Sequence, residues 1–588
     1  MLIAFSVLLG ITWLGFHNFY STASAGSLAS SVDHDYEIIS DSTPRNEPTA
    51  VAVTDKQGKT RWTISIPHKA SFPLLPAQYQ EVCKQSEEVS KQLLGTGRFS
   101  KKHRGYYAVD PFFMDVKEAE YLDLLPTHDP DEGLATPGEA PPPQNVCDRS
   151  LTFVMETSDA GLGNTLLALW MSYGLAMHEK RAFFVDDTRW AYGNYTTFFT
   201  PPPNPGCAPP PPHHRIPCPH WASHLVISAA TLDSAAAFGT AFIKEFSDVK
   251  QGAARKQGPM YNLLYKGYED LFHLADLGDR NYVTERVGNM KSKAHDDGGV
   301  IVGLHIRRGD RHPWEYQYQK DYLPVERYMD EVRQLLIDRF EHDEHEDEEE
   351  HRHSHMAAKH GSDRTRVTAP SGLSREKNIK PKSKHASSQT KREEALKPRH
   401  GAPGLMASQV FLSSDDPNIF SAQEVSRAHR AQDRIVLASK SALEAEHKKQ
   451  GLKPHKYLDE IAGWEGGFYR DTFMHLGLQT PRRAPVTGTP SLVRWGNAQT
   501  VGEAKDVLQV GAVPEQAMKL RELVGRAYLM DLAVMGQSDA VVCAVSAAGC
   551  RVLAVMMGWN NAFETTGLGW RNVDGGFEWK AVVHGGEP

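Results

Sequence analysis

The 588-residue chain has no surplus of positive charge: 65 lysines and arginines stand against 73 aspartates and glutamates, a formal net charge of -8. Basic residues are not massed into runs outside one internal insertion, so the electrostatic footprint of a nucleic-acid binder is missing and nucleic acid is excluded as the main partner. Long apolar runs are scarce as well. Leu2 to Phe16, at the amino terminus, covers fifteen residues where a spanning helix needs roughly 20, although Phe19 and Tyr20 lie close enough to lengthen it. No lysine or arginine precedes this run, and Ala23-Ser24-Ala25 beyond it offers the small residues of a cleavage site. An uncleaved anchor and a removed signal peptide are both open. Cysteine is sparse, six in all, and none of the six is spaced like a zinc ligand set. An even number behind a secretory start fits disulfides, with buried thiols as the other reading. No DxD motif stands at a strand end, where a nucleotide-sugar metal would need it.

What is present is organised around Val300 to Met329. The run Val300, Ile301, Val302, Leu304, Ile306 is too short and too β-branched for a helix of its own and reads as an interior strand of a parallel sheet. Its carboxyl end carries His305, Arg307, Arg308, Asp310 and Arg311, and in open α/β sheets that edge is where ligands bind. Adjacent residues of an extended chain point to opposite sides, so one of Arg307 and Arg308 can face a ligand while the other holds the scaffold. An arginine fork matches phosphate oxygens two at a time, which points to a nucleotide diphosphate. A local ion-pair cluster of Arg307, Arg308 and Asp310 is the plainer alternative.

Residues 1–20 read as the anchor or signal peptide and 21–75 as a polar, flexible stem. Residues 76–150 hold a lead-in helix over 76 to 96 and a proline-rich segment, Thr136 to Pro143. A first α/β unit spans 151–299: a strand at Leu151, a glycine turn, a helix over Thr165 to His178, and a strand at 181–187. Gly161 and Gly163 sit where a backbone can approach an anion at a helix start, or where helix and strand simply pack. Helical runs are expected over Ala229 to Glu245 and Tyr261 to Leu277. His213, His214 and His220 fall in the proline-rich stretch Pro201 to Pro219 and read as loop residues. Asn194-Tyr195-Thr196 is the one glycosylation sequon.

The second unit, 300–588, repeats the alternation and reads as Rossmann-like. A helix starts at Pro324, strands follow at Gln409 to Ser413 and Arg434 to Ala438, and a strand at 540–545 turns at Ser546 into a last helix. Asp415-Asp416-Pro417 looks like a helix start capped by Asp416. The interruption at 341–408, acidic and histidine-rich and then lysine- and serine-rich, reads as a disordered insertion; a second runs over 481–514.

Four ordered blocks carry a resemblance: GLGNTLLALWMSYGLAMHEKRAFFVDDTRWAYGN (161–194), GLHIRRGD with Glu315 and PVERYM, VFLSSDDP (410–417), and LMDLAVMGQSDAVVCAVSAAGCRV (529–552). Together they resemble the α1,6-fucosyltransferases, which move fucose from GDP-fucose to the innermost GlcNAc of N-glycans and include relatives acting on chitin oligosaccharides. The resemblance implies an α/β, GT-B-like fold, two Rossmann-like units with a cleft between them. It also implies an inverting, metal-independent transfer, with a GDP-sugar donor and a glycan or glycoprotein acceptor. Membrane attachment through the N-terminal segment and a Golgi lumenal location follow from it too.

By the same resemblance Arg307 holds the β-phosphate, with Arg308 and Asp310 in support, and Glu315 is the general base. His305 and Asp531 match guanine-contacting positions, Ser546 a phosphate donor, and Tyr328 and Asp415 positions near the donor. Where the family has a second serine beside Ser546, this chain has Ala547 and Ala548. Cys543 with Cys550 matches a family disulfide. Cys147 with Cys207 is the second expected pair, and Cys83 and Cys218 are left without an assigned partner. Transfer of another GDP-sugar, protein O-fucosylation, and non-catalytic glycan binding in the lumen remain the competing readings.

Overall fold

The computed structural model describes residues 36–38, 47–55, 58–94, 105–122, 124–125, 145–156, 161–308, 322–340, 402–436, 449, 515–564, 567–575 and 577–582. Asp310, Glu315, the apolar segment at 2–16, residues 341–401 of the expected insertion and all of 481–514 lie outside these. The chain is a mixed α/β protein that divides into two compact units, 1–152 with 207–242, and 153–206 with 243–588.

The first unit corrects the expected stem. Strands β1 (Tyr36–Ile38), β2 (Thr49–Asp55) and β3 (Thr60–Ser65) form an antiparallel sheet in that order. The segment is polar on average because only alternate residues need to be apolar in a half-buried strand. Ala50, Val53, Trp62 and Ile64 are its buried apolar residues, and the polar Thr49 and Thr63 are buried with them. Helix α1 (Pro76–Leu94) and the short α2 (Val116–Tyr121) follow, and the Trp62 indole donates to Asp110 at 2.9 Å. Disulfides Cys83–Cys218 and Cys147–Cys207 close this unit, so the two unassigned cysteines pair with each other.

β4 (Ser150–Val154) belongs to a three-stranded sheet of order β5–β4–β6, with β5 at Ala182–Asp186 and β6 at His224–Ile227. Between β4 and β5 runs α3 (Leu162–His178), buried nearly all round. The helical run expected over Ala229 to Glu245 is a 3-10 turn, Ala229–Thr231, and a separate short helix, Thr240–Glu245. The Thr231 hydroxyl accepts from the Ser228 amide at 3.0 Å, and the Thr231 amide donates to the Ser228 carbonyl at 3.0 Å, which closes that turn locally. The run expected over Tyr261 to Leu277 also divides, into α4 (Gly258–Leu271) and α5 (Leu277–His295). Asp276 caps α5 by accepting from the Asp279 amide.

α3 and α4 touch backbone to backbone. A Cβ on Gly174 would fall inside van der Waals contact of the Leu263 carbonyl, and one on Gly267 inside that of Trp170. Neither neighbour is a side-chain tip that can swing away, so Gly174→Ala and Gly267→Ala are each expected to cost about 3 kcal/mol. Chemical denaturation of the variants reads this directly.

The rest of the second unit is a five-stranded parallel sheet. Its strands are β7 (Ile301–Ile306), β8 (Gln409–Ser414), β9 (His429–Arg430), β10 (Ala540–Cys543) and β11 (Trp570–Asn572), in the order β11–β10–β7–β8–β9. Numbered from β7, that order is the doubly wound 3-2-1-4-5, which reverses between β7 and β10. Helix α6, residues 325–340, lies between β7 and β8 in sequence; α7 (Glu515–Met535) leads into β10, and α8 (Ala548–Met556) follows it. Val302, Leu304, Ile306, Val325, Tyr328, Val332 and Leu335 share one core, so α6 covers one face of the sheet. At the amino-terminal end, buried Asp539 accepts from the Ile301 amide at 2.7 Å and pairs with His295 at 2.8 Å, fastening the start of β7.

Three local expectations are corrected. Residues 434–436 are irregular, and the edge strand is the two-residue β9, because Gln432 uses its side chain to close a turn on Ile435. The turn after Asp416 is a 3-10 segment, Pro417–Ser421, in which Ser414 accepts from the Asp416 amide. The tail of the expected insertion is ordered, with a short helix at Ala402–Ala407 leading into β8. Among the described residues no helix is long and apolar enough to cross a membrane. Asn194 is exposed and precedes the short helix Tyr195–Phe198.

Candidate functional site

The two-residue period of β7 sorts its side chains. Val302, Leu304 and Ile306 enter the core with α6. Gly303 and His305 turn to the other face: a Cβ on Gly303 would meet Ser538 and Met535, and one on Gly549 of α8 would lie 2.7 Å from His305 Nε2. The alternation continues into the two arginines. Arg308 goes with the α6 side, donating from Nη2 to the Leu323 carbonyl at 3.1 Å and lying 5.1 Å over the Tyr322 ring. Arg307 goes the other way, and its Nη1 donates to Asp415 at 2.5 Å.

Asp415 stands just past β8, which is in register with β7 so that Ile306 faces Ser414. Its second oxygen accepts from the Arg308 backbone amide at 2.8 Å. One carboxylate therefore holds the Arg307 side chain and the chain end that carries it. The Arg307 side chain keeps 24% of its exposure, so the guanidinium is positioned without being sealed off. Among the described residues Arg307 pairs with Asp415; Asp310, the third member of the ion-pair cluster expected with Arg307 and Arg308, lies outside them.

His305 is 4% exposed. Burial, reinforced by the neighbouring Arg307 charge, pushes its pKa down to about 4, so the ring is neutral at physiological pH, and among the described residues its Nδ1 has no hydrogen-bond partner. Asp531, on α7, accepts from the Gln432 amide at 3.2 Å and from the Ser413 hydroxyl. Burial outweighs both bonds and the nearby Arg430 charge, and its carboxyl is pushed up to about 7.

Tyr528 is the residue that sequence reasoning missed. It sits one helical turn before Asp531, on the same face of α7. Burial raises its phenol to about 12, with Arg307 and Arg551 pulling down and Asp415 and Asp531 pushing up. It is a neutral donor among four charged groups. Its spacing from Asp531 was the available signal.

Ser546 occupies the turn from β10 to α8, which the Cys543–Cys550 disulfide braces. Its amide donates to fully buried Asp574 at 2.9 Å. Ala547 is the N-cap of α8 and provides no side-chain cap. Ala548 has a packing reason to be small: a Cβ on Gly163 would lie 2.9 Å from its methyl group and 3.1 Å from the Tyr528 hydroxyl. Arg551 adds a donor to Asn164 at 2.8 Å. Gly163 is thus placed by helix-on-helix packing, while Gly161 is the N-cap of α3, its carbonyl accepting from the Thr165 amide. Tyr328, 2% exposed, is on α6 and turns into the core between that helix and the sheet.

The structure brings His305, Arg307 and Asp415 together at the sheet reversal, with Tyr528 and Asp531 on the helix beside them. A guanidinium, a buried neutral imidazole and a carboxyl that titrates near neutrality suit an anion joined to a heterocycle with paired N–H donors. No protein-family model matches the chain, and no curated protein matches it.

Proposed function

We propose that the protein is an inverting, metal-independent glycosyltransferase that moves fucose from GDP-fucose to a GlcNAc-containing glycan in the Golgi lumen. The observation that carries this reading is the placement of Arg307, partly exposed and fastened by Asp415, at the carboxyl end of the central strand where the strand order reverses. The four sequence blocks supply the rest, including the GT-B-like pairing of two Rossmann-like units and membrane attachment through the N-terminal segment.

In the reaction Glu315 takes the proton of the acceptor hydroxyl, whose oxygen attacks the anomeric carbon of fucose as the bond to the β-phosphate oxygen breaks. The electron pair leaves with GDP, and Arg307 offsets the charge that develops on the phosphate. Asp531, ionised, accepts the ring N–H and the amino group of guanine, and His305 contacts the same base. The Ser546 hydroxyl donates to phosphate, and Asp310 supports Arg307.

The test is GDP release from GDP-fucose by purified protein, with and without a GlcNAc-terminated oligosaccharide. Turnover is expected to require the acceptor and to change by less than about twofold when magnesium or manganese is added, since arginine serves as the electrostatic clamp. Acceptor-independent release alone would sink the transferase reading. Non-catalytic glycan binding has one observation in its favour, the Ser546 amide already given to Asp574. Calorimetry showing glycan binding with no GDP affinity would select it.

A further inference from the structure

Outside the nucleotide reading, the first unit gathers histidines and a carboxylate from three segments far apart in sequence. His68 lies in the turn after β3, Glu120 in α2, and His213 and His214 in the 3-10 helix Pro212–His214. One ligating atom from each of His68, Glu120 and His213 falls within 4.8 Å of the other two. His213 Nε2 is 3.3 Å from Glu120 Oε1, the separation expected between two ligands about 2.0 Å from a tetrahedral ion. His214 Nε2 takes the other oxygen, Oε2, at 2.6 Å. The His68 and His213 rings lie side by side, their centroids 4.0 Å apart.

We propose that His68, Glu120 and His213 bind one Zn²⁺ ion, with His214 orienting the carboxylate through its second oxygen. Two imidazole nitrogens and one carboxylate oxygen form a donor set for zinc; magnesium and calcium take oxygen ligands instead. His68 is exposed, so water completes the fourth position. The His214 contact is the outer partner that metal-bound groups usually have.

Two of the three ligands, Glu120 and His213, sit on segments that are held before any ion arrives. Cys207 and Cys218, on either side of the 3-10 helix, are tied to Cys147 and Cys83. α2 is pinned by Asp115, which accepts from the Ser223 amide at 2.9 Å, and by a 2.7 Å ion pair between Arg61 of β3 and Glu118. Little ordering is left for the ion to impose, and it clips three distant segments of one unit together. None of these residues is assigned to transfer.

Full-length protein stripped with chelator and titrated with zinc sulfate tests this by calorimetry and thermal denaturation. The acidic, histidine-rich run at 341–360 can also take up zinc, so the melting temperature is the deciding readout. Zinc in large excess over its Kd is expected to raise Tm by on the order of 5 °C. His68→Gln, at an exposed position, and Glu120→Gln should each lose that rise and weaken binding at least about tenfold. A combined His351→Ala, His353→Ala, His355→Ala variant should keep it. A rise that survives both ligand variants, or its absence from the unsubstituted protein, overturns the proposal.

Discussion

Replacing Arg307 with alanine is expected to lower kcat/KM for fucose transfer at least about 100-fold while the protein remains folded. Charge builds on the departing diphosphate only as the glycosidic bond breaks, so a cation at that point stabilises the transition state more than the ground state. With no metal in the proposed mechanism, that charge comes from Arg307. Truncation also leaves Asp415, now without the partner 2.5 Å away, facing the phosphate. The loss should therefore exceed that of a deleted neutral donor. Arg307→Lys keeps the charge but not the fork that serves Asp415 and phosphate together, and should fall between wild type and alanine. Asp415→Asn separates positioning from charge: it loosens the guanidinium without removing it, so its effect should be smaller than that of Arg307→Ala. Because the side chain is 24% exposed, its ion pair contributes only about 1 kcal/mol to stability, and Tm should move little. Unchanged turnover in the alanine variant would dispose of the role.

The second large effect concerns Asp531. Its carboxyl is pushed up to about 7 by burial, yet accepting two guanine N–H groups requires the ionised form. GDP binding must then release a proton below pH 7. Affinity should rise about tenfold per pH unit from pH 5 to 7 and level off above, a slope that Asp531→Asn should abolish along with most of the affinity. Inosine diphosphate, lacking the amino group, should bind about tenfold more weakly to the wild type and equally to the variant.

Stability without ligand moves the opposite way. The folded pKa lies above the unfolded value of 3.8, so the native state holds the proton more tightly between those two limits. The contribution is fully present below about pH 4 and is lost as pH rises to about 7. Asp531→Asn should flatten that part of the stability profile. Affinity independent of pH, with equal binding of the two diphosphates, would remove Asp531 from the base site.

The elements that were legible share a cause. β7, α3 and α8 announce themselves through periodicity, a local property set by which neighbours along the chain must face a core. The opposed directions of Arg307 and Arg308 follow from the same period, and the structure shows it in the separate partners of the two side chains. The first sheet is hidden from a polarity average because it buries threonines beside its few apolar residues: Thr49 and Thr63 are buried with Val53, Trp62 and Ile64. The Ala229 to Glu245 run breaks because the Thr231 side chain bonds back to the Ser228 backbone and competes with helix continuation, which no window average registers.

Residue order along this chain settled where backbone hydrogen bonds could be made, how its strands would face, and that an even cysteine set could pair. Partnerships over long separations belonged to the folded state. Asp415 reaches Arg307 across 108 positions, Ser546 gives its amide to Asp574, Ala548 is kept small by Gly163, and three histidines close on Glu120. Each depends on which strands lie side by side and how near two helices come, and those choices minimise the free energy of the whole core, a quantity that no short stretch contains.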